Sequence, residues 1–179
     1  MNMYGMPLMG ADVCGYSGDT SAELCARWTV LSALYPFSRN HNDMTSADQY
    51  PYSPMFQKDY MTTPTKVTYT DVMREGMRKK YSLLRYHYSS VMGATENGGQ
   101  VVRPMFYDFP EDPMAWTGAN NNFMYGDSVK VSYLTDKLDA DTTDFYFPAG
   151  TWCSIFDTKN ACFISPGGAA GMMTLPSKI

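Results

Sequence analysis

The sequence of 179 residues predicts an α/β segment followed by an all-β domain. Three observations carry that prediction. Before Gly98, apolar stretches follow the order short run, helical stripe, short run, helical stripe, which is a piece of an α/β architecture. From Gln100 onward, short runs rich in β-branched and aromatic residues are separated by Gly, Pro, Asn and Asp, the pattern of an antiparallel β-sandwich. Between the two, "GATENGGQ" supplies turn chemistry. The boundary is placed near Gly98, giving segments 1–98 and 99–179.

The elements follow in order. "GMPLMGADVCGY" begins with a short apolar run over residues 6–11 and reads as a buried strand that delivers Asp12 at its C-terminal end. "GDTSAELCARWTVLSALYPF" reads as a helix, with Thr20 as its cap and Glu23 three residues on completing a capping box. Leu24, Trp28, Leu31 and Tyr35 form an apolar stripe at helical spacing. Ala33 to Phe37 run into a second short apolar element, stopped by Pro36 and the polar Arg39-Asn40-His41-Asn42. Residues 43–66, rich in Pro, Tyr, Thr, Ser and Asp, read as a long irregular loop, a kind of segment that is usually functional or disordered. Residues 68–92 read as one helix with Val72, Met73, Met77, Tyr81, Leu84 and Tyr88 on one side, and Arg74, Arg78, Lys79 and Lys80 on a solvated face. "VVRPMFYDF", "NNFMYGDSVKVSYL", "DFYFPAGTWCSIFD" and "NACFISPGG" are the β-rich runs. Two βα units cannot close a sheet, and an open two-stranded parallel sheet would leave bare edges, so the first half reads as a fragment of something larger.

Composition narrows the function classes. Hydrophobic residues are 44% and charged residues 18% of the chain, which is globular rather than disordered. The net charge of −4, with no basic stripe, argues against nucleic acid as a partner. Fourteen tyrosines suit surfaces that are half wet. No apolar run approaches the roughly 20 residues of a membrane span, and the first residues lack the charged and apolar regions of a signal peptide. The four cysteines fall into two local pairs, Cys14 with Cys25 and Cys153 with Cys162. An even, locally paired count suggests disulfides and an oxidising compartment; buried free thiols are the alternative. No C-x-x-C occurs and neither histidine has ligand spacing, so no metal and no cofactor is implied. His87 lies within the second helical stripe and reads as structural. On residues alone, Asp12 could equally be a turn residue, His41 a loop histidine and Tyr16 part of a core.

The order and spacing of three motifs add more. G-A-D-V-C-G-aromatic at residues 10–16, E-L-C-x-R-W at 23–28 and Y-P-F-x-R-N-H at 35–41 closely resemble the α-glucosidases of glycoside hydrolase family 31. "VVRPMFYDFP", "FMYGDSVKVSYL", "YFPAGTW" and "LPSKI" continue the resemblance more weakly to the end of the chain. It implies that residues 1 to about 98 are the last two βα units of a (β/α)8 barrel, and that the remainder is the β-sandwich domain that follows it. In such barrels the C-terminal ends of the strands face the active site. The resemblance places Asp12 at the end of the seventh strand, and Arg39 and His41 just past the eighth. Asp12 and His41 would then hydrogen-bond hydroxyls of the sugar at the cleavage point, since a carboxylate accepts and a neutral imidazole both donates and accepts. Tyr16 would cover the apolar face of a neighbouring sugar. Arg39 would order the loop or the site's carboxylates by charge-assisted hydrogen bonds. The resemblance also supports the Cys14–Cys25 disulfide; Cys153–Cys162 rests on spacing alone. It further implies a secreted, lysosomal or other secretory-pathway lumen.

Retaining glycosidases need two carboxyl groups roughly 5–5.5 Å apart, one nucleophile and one acid/base. In the family these lie in a W-x-D-M-N-E-like motif on an earlier strand and a G-D-N-like motif before the Asp12 position. Neither motif occurs in these residues. "SGDTS" at 17–21 follows the Asp12 segment instead of preceding it, and Asp12 is therefore not assigned as catalytic. Two readings stay open. The chain is a segment of a retaining α-glucosidase acting on terminal α-linked glucose, whose remaining portion supplies the nucleophile and the acid/base, so that the isolated chain is inactive. Alternatively, it is a non-catalytic structural or carbohydrate-binding relative serving as an interaction module; the initial Met1 suits an independently translated piece.

Overall fold

The structure is a computed structural model that describes residues 1, 4–61, 66–117, 120–135, 142–157, 159 and 162–176. Positions 62–65 of the predicted loop, and 160–161 and 177–179 of the β-rich part, lie outside the described residues. The chain divides into two compact units, residues 1–101 and 102–178.

The first unit is built around one parallel strand pair and three helices. Strand β1 (Asp12–Val13) runs parallel to β2 (Arg39–Asn40), in the register Asp12↔Arg39 and Val13↔Asn40. The expected buried strand over 6–11 does not form. Pairing begins only at Asp12, and Met6 and Leu8 stay 50% and 61% exposed. Among the described residues β1 has one partner, and a strand meant for burial on both faces is not covered by one neighbour. The two segments nevertheless approach closely just before the pairing: Phe37 N–H donates to the Met9 carbonyl at 3.2 Å, and a Cβ on Gly10 would lie 1.9 Å from the Phe37 carbonyl oxygen. Only glycine permits that approach.

Helix α1 (Ala22–Ser32) is capped by Ser21 in place of the expected Thr20. Ser21 Oγ accepts from Leu24 N–H at 3.2 Å, while the Thr20 hydroxyl turns to the Ser21 carbonyl. The buried face of α1 is also not the predicted one. Cys25, Ala26, Thr29, Ser32 and Ala33 are buried, whereas Leu24 is 48% exposed and Trp28, Leu31 and Tyr35 are half-buried. Small residues win that face because α2 (Tyr69–Ser82) packs tightly on it: a Cβ on Gly76 would stand 3.1 Å from Val30 Cα. Thr68 and Asp71 form a capping box at the start of α2.

The single helix expected over 68–92 is two. Leu83, at φ −97° and ψ 4°, separates α2 from α3 (Leu84–Asn97), which ends at Gly98 with φ 75°. Val72 and Met73 are buried, Tyr81 at the end of α2 is exposed, and beyond the break Leu84 and Tyr88 are turned out of the stripe. His87 is buried, as expected of a structural histidine; desolvation, with the Lys80 charge, lowers its pKa. Lys80 is not on a solvated face: its Nζ donates to the Ser32 and Tyr35 carbonyls at 3.3 and 3.0 Å, at the C-terminal end of α1 where carbonyls lack helical partners. The long loop carries a short 3-10 turn (Pro54–Phe56) and β3 (Asp59–Met61), which pairs antiparallel with β4 (Val67–Thr68). Phe56 from this loop joins Val13, Cys14, Cys25, Ala26, Val72 and Met73 in the core.

The second unit is antiparallel throughout its described ladders. The order β5 (Val102–Arg103), β6 (Asn122–Tyr125), β7 (Val129–Ser132) makes a three-stranded sheet. The run "VVRPMFYDF", expected as a strand, is strand only over two residues. Pro104 removes a ladder donor and precedes α4 (Met105–Asp108). Helix α5 (Pro113–Thr117) follows. Then β8 (Thr142–Tyr146) pairs with β11 (Met172–Pro176), and β9 (Gly150–Cys153) with β10 (Cys162–Ser165). Met105, Ala115, Met124 and Tyr146 form the core, with the Tyr146 hydroxyl donating to Asp112 Oδ2 at 2.6 Å.

Candidate sugar-binding site

Chain direction explains why the site forms at one end of the first unit. In the parallel pair the C-terminal ends of β1 and β2 lie side by side, and the loops that leave them carry Tyr16 and His41. Register sets Asp12 opposite Arg39, and Arg39 Nη2 donates to Asp12 Oδ1 at 2.6 Å. The loops meet above: the Tyr16 and His41 rings are 5.1 Å apart and tilted by 41°. All four residues retain exposure, with Tyr16 at 51%. The structure thus brings Asp12 to Arg39 and Tyr16 to His41.

The turn after β1 is rigidly specified. Gly15 N–H donates to the Asp12 carbonyl at 3.0 Å, Cys14 adopts φ 76° and Gly15 φ 89°. A left-handed cysteine is held against a cost of roughly 1–2 kcal/mol, and the Cys14–Cys25 disulfide provides the restraint by fastening the turn to the first helical turn of α1. Trp28 packs beneath it, its ring 3.6 Å from where a Gly15 Cβ would be. The second disulfide, Cys153–Cys162, joins directly opposed residues of β9 and β10.

The loop after β2 is fixed by residues that sequence reading did not single out. Asp43 accepts from Thr45 N–H and its hydroxyl at 2.7 and 2.6 Å, from Ser46 N–H and its hydroxyl at 3.0 and 2.9 Å, and from Gly18 N–H at 3.4 Å. Those bonds, led by the Thr45 hydroxyl, hold its carboxyl far below the usual carboxylate range. Asp43 N–H donates to the Tyr16 carbonyl at 2.9 Å, and Asp19 accepts from Ala47 N–H at 2.7 Å, so the two site loops are laced together. The Asp-x-Thr-Ser stretch was a readable turn signal, but its attachment to residues 16–19 was not.

Chemically, this is a polar, partly open cluster with hydroxyl-sized hydrogen-bonding capacity. Arg39 occupies Asp12 Oδ1, and no described residue takes Oδ2. His41 offers an imidazole, and Tyr16 an aromatic face. Among the described residues no group of acidic, His or Cys side chains is arranged to hold a metal, and no helix is long and apolar enough to cross a membrane.

Comparison with known proteins assigns the chain. Residues 1–90 match the glycosyl hydrolases family 31 TIM-barrel domain, and residues 98–169 the glycosyl hydrolase family 31 C-terminal domain. A lysosomal alpha-glucosidase of Mus musculus is 41% identical over 151 residues, covering 84% of this chain and 14% of that protein. An alpha-glucosidase of Hordeum vulgare is 34% identical over 155 residues, covering 87% and 16%. The crystal structure of a glucosidase II alpha subunit superposes with a TM-score of 0.77 at 25% identity over 98% of this chain and 17% of that one. A cycloalternan-degrading enzyme from Trueperella pyogenes, 23% identical, shares the fold with a TM-score of 0.79, over 98% of this chain and 24% of its own. The chain therefore spans only a small part of the relatives it matches, and its fold is part of a TIM barrel joined to the C-terminal domain that follows it. With family models matching both units and α-glucosidases at about 40% identity, this chain belongs to glycoside hydrolase family 31.

Proposed function

We propose that the chain is the segment of a retaining α-glucosidase that holds the terminal α-linked glucose of an oligosaccharide at the cleavage point. In this reading residues 1–98 are the last two βα units of the barrel, residues 99–179 are the adjoining β-sandwich domain, and the remaining portion of the enzyme carries the nucleophile and the acid/base. The observation that carries it is the Asp12–Arg39 pair across adjacent parallel strands, with the Tyr16–His41 ring contact beside it. Arg39 holds the Asp12 carboxylate in aim through Oδ1, so that Oδ2 accepts from one sugar hydroxyl. His41 accepts from or donates to another, and Tyr16 lies along a ring face. These contacts orient the sugar and strengthen as it flattens toward an oxocarbenium ion. They provide no nucleophile and no proton transfer. The two disulfides and the lysosomal relatives support a secretory-pathway lumen.

The exposed flank of α1 supports a partner portion: Leu24 is 48% exposed beside half-buried Trp28 and Leu31, and Met6 and Leu8 are also open. The test is complementation. The chain alone should release no p-nitrophenol from p-nitrophenyl α-glucoside, and adding the family's barrel portion with the W-x-D and G-D-N motifs should restore release. Sugar binding by this chain without any restored hydrolysis would favour the interaction-module reading instead.

A further inference from the structure

We infer that Gln49 is a positioning residue that sets the aim of Arg39 and His41 by gripping the back of β2; the inference rests on the sugar-contact reading above. Gln49 belongs to the long loop, seven residues beyond the polar motif, yet it is only 4% exposed. Its Nε2 donates to Asn40 Oδ1 at 3.0 Å and reaches the Val13 carbonyl at 3.5 Å. Asn40 Nδ2 returns a bond to the Gln49 carbonyl at 2.9 Å. One glutamine therefore touches both strands of the parallel pair and closes a reciprocal ring with Asn40.

The consequence follows from strand geometry. Successive side chains along a strand point to opposite faces. Asn40 is the last residue of β2, between Arg39 in the strand and His41 in the loop that leaves it, so a hold on the Asn40 side chain fixes the roll of the strand end and the direction in which the chain leaves it. Val13, the other contact, adjoins Asp12 in the same way. The strands themselves pair over only two residues each, too few ladder bonds to fix that roll alone. Gln49 is also costly as mere filler. Its Oε1 is buried without a partner among the described residues, and an apolar side chain of similar length would occupy the space without that penalty. What the apolar residue would lack is the donor.

The test uses the complete enzyme containing this segment, with p-nitrophenyl α-glucoside as the probe and five variants: Gln49→Glu, Gln49→Met, His41→Ala, Asp12→Asn, and Gln49→Met combined with His41→Ala. Glutamate keeps the shape and loses both N–H donors; methionine keeps the length and loses all polarity. Each Gln49 variant should lower kcat by about tenfold, the effect of one net hydrogen bond in aiming a transition-state contact, with KM changed much less. In the His41→Ala background the Gln49→Met loss should shrink, because one of the two residues it acts through is gone. A Gln49→Met loss that persists in full in that background would overturn the inference, since it would mark a general structural role. So would single Gln49 variants with unchanged kcat while His41→Ala is impaired. Indifference of kcat and KM to His41→Ala and to Asp12→Asn alike would overturn the sugar-contact reading, and this inference with it.

Discussion

Lys130 offers a quantitative test of the second unit. Its ammonium sits 3.9 Å above the Phe147 ring centroid and donates to Asn122 Oδ1 at 2.5 Å and to Ser132 Oγ. No carboxylate pairs with it among its described contacts, and burial pushes its pKa down from 10.5 to about 7. The folded chain therefore holds this proton more weakly than the unfolded chain. Above the unfolded pKa the amine is neutral in both states and imposes nothing. As pH falls from about 10.5 to about 7 the native state loses stability, and below pH 7 the loss is complete and constant. At about 1.4 kcal/mol for each tenfold change in proton affinity, the ceiling is about 5 kcal/mol. Replacing Lys130 by Met removes the charge and keeps an unbranched chain over the ring. It gives up two hydrogen bonds at about 1 kcal/mol each. Asn122 Oδ1 still accepts from the Ser132 hydroxyl at 2.7 Å, so each of the two oxygens keeps one hydrogen bond. Lys130→Met should then raise stability by up to about 3 kcal/mol at pH 6, and the gain should shrink to about zero by pH 9.5. Urea unfolding followed by tryptophan fluorescence at both pH values measures this difference. A variant less stable than the parent at pH 6, or a difference equal at both pH values, would refute the reasoning.

Three further outcomes are expected. Mild reductant followed by alkylation and mass mapping should label Cys153 and Cys162, both exposed, well before Cys14 and Cys25, which are 3% and 0% exposed; simultaneous labelling would contradict the burial difference. Gly10→Ala should destabilise the chain by more than about 2 kcal/mol in the same urea assay, because the new methyl meets the Phe37 backbone and not a yielding side chain; a silent substitution would show that the two segments are not in contact. Arg39→Met should shift stability by no more than about 1 kcal/mol, since the Asp12–Arg39 pair is solvent-accessible, yet lower kcat in the complete enzyme by freeing Asp12; an unchanged kcat would remove Arg39 from the site.

The Asp12–Arg39 and Tyr16–His41 neighbourhoods were more legible in the sequence than the packing around them, and the reason is physical. Asp12, Tyr16, Arg39 and His41 sit in short motifs whose spacing survives without any knowledge of packing, and the loops leaving two adjacent parallel strand ends put them together. The buried face of α1 is not the one that apolar size predicts. Leu24 and Trp28 are larger than Ala26 and Thr29, but α2 demands a close approach that only small residues allow. The break at Leu83 has no glycine or proline to announce it, so in the sequence one amphipathic stripe runs straight through it. Lys80 reads as a solvated charge until the open carbonyls at the end of α1 are seen beneath it. Gln49 is the clearest case: a single polar residue in a loop has no periodicity and no spacing, and only its two contacts across β1 and β2 distinguish it.

The central claim is that Asp12 and His41 grip the sugar more tightly as it is cleaved than when it first binds. Steady-state kinetics of Asp12→Asn and His41→Ala in the complete enzyme, with maltose as substrate, test it directly. Asparagine preserves the shape of Asp12 and removes its charge, so it separates electrostatics from packing. Each variant should lose about ten- to a hundredfold in kcat, the effect of one hydrogen bond to a charged or developing-charge partner, while KM changes little. A raised KM with kcat intact would make these residues uniform binders and contradict the account.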